Sequence, residues 1–185
     1  MTSPPRPTKA QIANAAGRTV PDLIAPDLRV LFCGINPGLY SAATGHHFAR
    51  PGNRFWPALH RAGFTDRVLG AWEERRLLER GYGITNLVAR ATAAAAELTP
   101  EELRAGRHRL LRKVRRYRPR WVAVLGIGAF RTAFGAGGIS VGRQPAGLGP
   151  AGLWVLPNPS GLNANHQLSD LALAFQELRE AAARA

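Results

Sequence analysis

Four short, largely apolar runs constrain this chain more than any other feature: "RVLFCG" (29–34), "GITNLV" (83–88), "WVAVLG" (121–126) and "LWVLPN" (153–158). Each has the length of a strand and is rich in β-branched or large apolar residues, with no polar alternation running through it. A strand that is apolar on both faces has to be covered on both faces, which is the situation of a parallel sheet between two layers of helices. Helical spacing of apolar residues fills the intervals at 54–62, 72–80, 100–117, 128–134 and 168–183. The predicted fold is therefore α/β, a three-layer α/β/α domain around a mostly parallel central sheet of four or five strands.

Local signals sharpen some boundaries. Thr99, Pro100 and Glu102 form an N-cap, a first-turn proline and a capping box for the third helix. Leu168, Leu171, Phe175 and Leu178 fall on one face of the last helix as a packing stripe. The Gly-rich stretch 135–152 reads as a surface loop, and the Pro-rich residues 1–18 read as a flexible N-terminal arm before a single domain over 19–185.

Composition excludes several classes of protein. No stretch approaches the roughly 20 apolar residues that span a bilayer, and "MTSPPRPTKAQ" lacks the apolar centre of a secretory signal. A cytoplasmic location is expected. Cys33 is the only cysteine, so there is neither a disulfide nor a cysteine-built metal site, and a buried reduced thiol is the expectation. His46, His47, His60, His108 and His166 show no ligand spacing with carboxylates or sulfur. No metal and no cofactor are expected. The formal charge of +13 favours a polyanionic partner. An Arg- and Ala-rich composition also follows from GC-rich coding, so the charge names a partner class and no reaction.

In sheets of this kind ligands bind beyond the carboxyl ends of the strands. "GIGAFR" (126–131) follows a strand but lacks the third glycine and the later acid of a dinucleotide fingerprint, and its small residues suit close helix packing. No phosphate-loop pattern is present. The cations from Arg104 to Arg120 fall all round their helix and read as a solvated face. The other two motifs, "GINPG" (34–38) and "NPSGL" (158–162), bring Asn36, Phe48 and Asn158 to one end of the sheet.

Through these motifs the chain resembles the mismatch-specific uracil/thymine-DNA glycosylases of the uracil-DNA glycosylase superfamily. The matching stretches are residues 31–67, "YGITNLVARAT" (82–92), "YRPRWVAVLG" (117–126) and "LWVLPNPSGLNAN" (153–165). The resemblance implies a monofunctional, monomeric DNA repair hydrolase that flips uracil, with thymine as a further candidate, out of double-stranded DNA. It would cleave the N-glycosidic bond and leave an abasic site. Asn36 would position the water, since a carboxamide has no useful basicity. Ile35, Phe48 and Asn158 would form the base pocket, with Phe48 stacking on the base. Backbone donors near Ile35 and Phe48 would meet charge on the leaving base. Ser160, Gly161, Leu162 and Asn163 would contact DNA, Leu162 as the wedge in the vacated stack. One cysteine cannot hold the cluster of the iron–sulfur branches.

Two departures stand out. Ala164 occupies the place of an arginine expected to contact the orphaned guanine, so preference for a mispaired guanine should be weak. The run "ARATAAAAEL" (89–98) places alanines where a carboxylate would activate water better, and Ala93 is the candidate position of a replaced acid. Asn53 reads as the N-cap of the next helix. The competing readings are a non-catalytic DNA-binding module of the same fold and a small-molecule α/β enzyme.

Overall fold

The computed structural model describes residues 4–135, 137–161 and 166–184. Five strands, β1 (Val30–Gly34), β2 (Tyr82–Asn86), β3 (Trp121–Leu125), β4 (Gly142–Arg143) and β5 (Gly152–Leu156), form one sheet in the order β2-β1-β3-β5-β4. The first three neighbouring pairs in that order are parallel, and β4 is an antiparallel edge on β5. Among the described residues seven α-helices surround it: α1 (Lys9–Ala13), α2 (Leu39–Thr44), α3 (Phe55–Arg61), α4 (Arg76–Glu79), α5 (Pro100–Tyr117), α6 (Ile127–Phe134) and α7 (Leu168–Arg184).

The period-2 alternation of a strand divides the core. Val30 and Phe32 join a cluster with Phe55, Leu59 and Phe175 of α3 and α7. Leu31 and Cys33 point the other way, into a cluster with Leu110, Val114 and Phe130 of α5 and α6. This is the three-layer α/β/α arrangement, and every residue of β1 is buried. The free edge of β2 is closed by Leu23, which exchanges backbone hydrogen bonds of 2.8 and 2.9 Å with Ile84. Cys33 is buried, its thiol facing Gly34 O at 3.5 Å, and burial pushes its ionisation far upward.

Some expectations need correction. The segment read as a flexible arm is attached from Thr8 onward. Thr8 and Gln11 form a capping box for α1, Ala15 is fully buried, and Gly17 N–H donates to Ala91 O at 2.9 Å. The stretch read as a helix over 72–80 is a 3-10 turn (Ala71–Glu73) followed by α4. Glu73 breaks it by turning its carboxylate back to accept from Gly70 N–H at 3.0 Å and from Arg67 at 2.5 and 2.8 Å. The Gly-rich loop 135–152 contains β4 and buries Gln144, Leu148 and Ala151. Asn53 caps α3 from one residue outside it, accepting Phe55 N–H at 2.9 Å. Among the described residues no helix is long and apolar enough to cross a membrane.

The Arg67 guanidinium and the Gly70 N–H hold the Glu73 carboxyl down from 4.5 to about 2. A depressed carboxyl stabilises the fold above its unfolded value and loses that contribution as pH falls toward the folded one. Glu73→Gln should therefore lower the melting temperature at neutral pH and flatten its decline between pH 4.5 and about 2, as thermal melts across that range will show.

Candidate active site

Parallel strands end together, so the segments after β1, β2, β3 and β5 meet on one side of the sheet. They enclose a cavity of about 210 Å³ lined by Gly34 to Gly38, Phe48, Asn86, Leu125 and Asn158, with Ala93 to Ala95 and Ser160 also on its wall. That is smaller than the roughly 300–1,000 Å³ of sites for drug-sized ligands and suits a single planar ring. Among the described residues no Asp or Glu lines it, and Arg50 is the only lining residue with a fixed charge.

Asn36 is held in one orientation. Its Nδ2 donates to Thr92 Oγ1 at 2.7 Å, Arg90 O at 3.0 Å and Pro37 O at 3.2 Å. Carbonyl oxygens can only accept, so the atom facing them must be the amide nitrogen. Thr92 gives its own proton to Ala94 O at 2.8 Å and can therefore only accept from Asn36. The side-chain carbonyl Oδ1 is left as an acceptor, and no donor among the described residues takes it.

Phe48 ends a turn that starts at α2. The backbone turns at Gly45 (φ 75°), and Phe48 itself adopts φ 52°, a left-handed conformation that a bulky residue rarely takes. Neighbours impose it. Glu74 accepts His47 N–H at 2.9 Å and pairs with His46 Nδ1 at 3.0 Å, while Ser41 Oγ accepts Ala49 N–H at 3.1 Å. The Phe48 ring is stacked on Phe55, with centroids 4.1 Å apart, and it borders the cavity.

Ile35 and Asn158 line the same cavity, on either side of Gly126 at the end of β3. A Cβ on Gly126 would lie 3.1 Å from Ile35 Cδ1 and 3.9 Å from Asn158 Cβ. The first glycine of "GIGAFR" thus leaves room for close packing between Ile35 and Asn158. Asn158 Oδ1 accepts Ser160 N–H at 3.0 Å and rounds the "NPSG" turn. Gly161 packs against the neighbouring turn, since a Cβ there would stand 2.6 Å from Gly52 O. Leu162, Asn163 and Ala164 lie outside the described residues. Ala93 sits on the cavity wall beside Thr92, and Glu97, the nearest acid in sequence, accepts Ala94 N–H at 2.8 Å.

Sequence reasoning did not single out Asn86, and it set His46 and His47 aside as exposed loop residues, which fails for His47, since it is buried and lines the cavity. Asn86 is paired in register with Gly34 and ends β2 on the cavity. His47 is buried, and its Nε2 lies 2.9 Å from Pro21 O. Burial pushes its pKa down, so the ring is neutral with its proton on Nε2. Nδ1 is then an acceptor, 3.5 Å from Asn86 Nδ2. Asn86 Oδ1 consequently faces the cavity floor, where a Cβ on Gly34 would come within 2.5 Å of it. One signal was available: Asn86 is the single carboxamide in an otherwise apolar run.

Some of the basic charge is paired away from the cavity. Arg90 pairs with Glu102, Lys113 with Asp22, and Arg107 lies over the Phe134 ring. Among the described residues no group of His, Cys, Asp and Glu gathers as a metal site would require.

The cavity thus lies at the carboxyl ends of a parallel sheet and is bordered by the Asn-Pro turns at Asn36 and Asn158. A family model for the uracil DNA glycosylase superfamily matches residues 21–182, nearly the whole domain. The chain belongs to that superfamily, whose members are DNA glycosylases.

Gly34→Ala should destabilise the protein by about 1–3 kcal/mol through overpacking against Asn86 and Phe48. In an Asn86→Ala background the same change should cost measurably less. A double-mutant cycle of denaturant unfolding tests this.

Proposed function

We propose that this protein is a monofunctional, metal-independent glycosylase that removes uracil from double-stranded DNA, with Asn36 holding the attacking water. The observation that carries the reading is the anchored Asn36 amide, whose nitrogen is consumed by Thr92 and Arg90 and whose oxygen remains as an acceptor at the cavity wall. A water bound to that oxygen is oriented for in-line attack on the sugar as the glycosidic bond lengthens. Asn36 takes no proton; its contribution is position.

The base enters the cavity against the Phe48 ring, which Phe55 supports from behind. Asn86 Oδ1 accepts a hydrogen bond from an imide N–H, a group that uracil and thymine carry and cytosine lacks. The neutral His47 keeps Asn86 turned that way. Asn158 closes the opposite wall. As electrons move onto the departing base, the Phe48 N–H, which meets no acceptor among the described residues, is available to the growing negative charge. Ser160 and Gly161 contact the DNA backbone, and Leu162 wedges the stack. With Ala164 where an arginine would read guanine, uracil is accepted opposite several bases. Among the described residues no carboxylate lines the cavity, so turnover is slow.

Base release from labelled duplexes carrying G·U, A·U and G·T pairs tests the reading. Wild-type protein should release uracil from both uracil duplexes at comparable rates, and Asn36→Ala should lower release by about 100-fold. No release by wild type, with tight and salt-sensitive DNA binding, would instead mark a non-catalytic binding module.

Ala93 lines the same cavity, and a carboxylate at that position would be the candidate activator of the water. Ala93→Asp should raise single-turnover uracil release by about tenfold or more, within the range of a positioned general base. An unchanged rate would remove Ala93 from the site.

A further inference from the structure

Arg54 was not singled out by any motif, and its side chain does not line the cavity. It stands at the N-cap of α3, directly before the Phe55 that backs Phe48. Its backbone N–H donates to Pro159 O at 3.0 Å, its guanidinium donates through Nη2 to Ser160 O at 2.6 Å, and Nη1 donates to His166 O. One half-buried residue therefore holds carbonyls on both sides of residues 161–165. The turn that precedes it is pressed against the same loop, because Gly52 O leaves no room for a Cβ on Gly161.

We infer that Arg54 is a positioning residue that joins the DNA-contacting loop at Ser160–Gly161 rigidly to the wall that receives the base. The inference rests on the glycosylase reading above. Unstacking a base requires something to push into the duplex and something to capture the displaced ring, and the two must keep a fixed separation. The contacts run without a break from Phe48 through Phe55 and Arg54 to Ser160, and on through the Ser160 N–H to Asn158 on the cavity's far wall. A planar guanidinium suits this task. It presents several donors in a fixed fork, and a hydrogen bond from a charged donor is stronger than a neutral one. Lysine offers a point charge and cannot reproduce the fork. Arg54 acts only through the loop and needs no contact with substrate.

Single-turnover uracil release from two duplexes tests this, one with uracil opposite guanine and one with uracil opposite a baseless sugar. The second substrate has already lost its pairing and needs less from the loop. Arg54→Ala should slow release from the G·U duplex by roughly tenfold more than release from the unpaired duplex. Arg54→Lys should act in the same direction, and it carries the comparison alone if the alanine variant does not fold. Equal slowing on the two substrates overturns the inference and reduces Arg54 to general structural support. A wild type that releases uracil from neither duplex overturns the glycosylase reading itself, a result plainly different from equal slowing.

Discussion

Everything at the active end of this molecule follows from how β1 stops. The strand is central, buried on both faces and flanked on each side by a parallel neighbour. When it ends at Gly34 the chain must leave the sheet without abandoning its backbone polar groups in the interior. It does so by continuing to pair with the segment after β2. Leu87 N–H reaches Gly34 O at 2.9 Å, Val88 N–H reaches Ile35 O at 2.9 Å, and Thr92 N–H reaches Pro37 O at 3.2 Å. The Asn36 side chain completes this seam through Arg90 O and Thr92 Oγ1. The group proposed to hold the water is therefore part of what closes the fold, and its orientation is fixed before any DNA arrives. Such preorganisation is what a catalyst that works by position requires.

The cavity and the outer surface divide the electrostatic work. The formal charge of +13 acts at long range and draws in a polyanion whatever its sequence. Inside, four asparagines and a neutral histidine present dipoles, and among the described residues no fixed negative charge lines the cavity to repel an anion. On the proposed reading, a flipped base would move from a region governed by charge into one governed by shape and hydrogen-bond direction. The direction at Asn86 is set at second hand, by a histidine tautomer that is itself set by Pro21 O.

The architecture was legible because it rests on a strong local signal. Strands buried on both faces must be apolar throughout, so "RVLFCG" and "WVAVLG" announced themselves, and Thr99, Pro100 and Glu102 marked the start of α5 to the residue. What escaped is short or assembled from distant parts. The helices α1 and α2 span five and six residues, too few for periodicity to emerge. The edge strand β4 has two residues inside a glycine-rich stretch and exists only because β5 lies beside it. Asn36, Phe48 and Asn158 could be brought together from their motifs, because each follows a recognisable strand or turn. Asn86 could not, since its place on the cavity depends on the register with Gly34 and its orientation on a histidine 39 positions away. Arg54 was hidden for a similar reason: its partners are main-chain carbonyls, and a carbonyl leaves no mark in an amino-acid sequence.

Cys33 lies near the end of β1, sealed beneath α5 and α6, with ionisation suppressed by its surroundings. A thiol reacts with alkylating reagents as its thiolate, so in the folded protein this sulfur is chemically silent. It becomes reactive only when the sheet parts from its helices. The chain thus carries, in its one cysteine, a clock that counts openings of the whole domain and ignores the fluctuations of its surface loops.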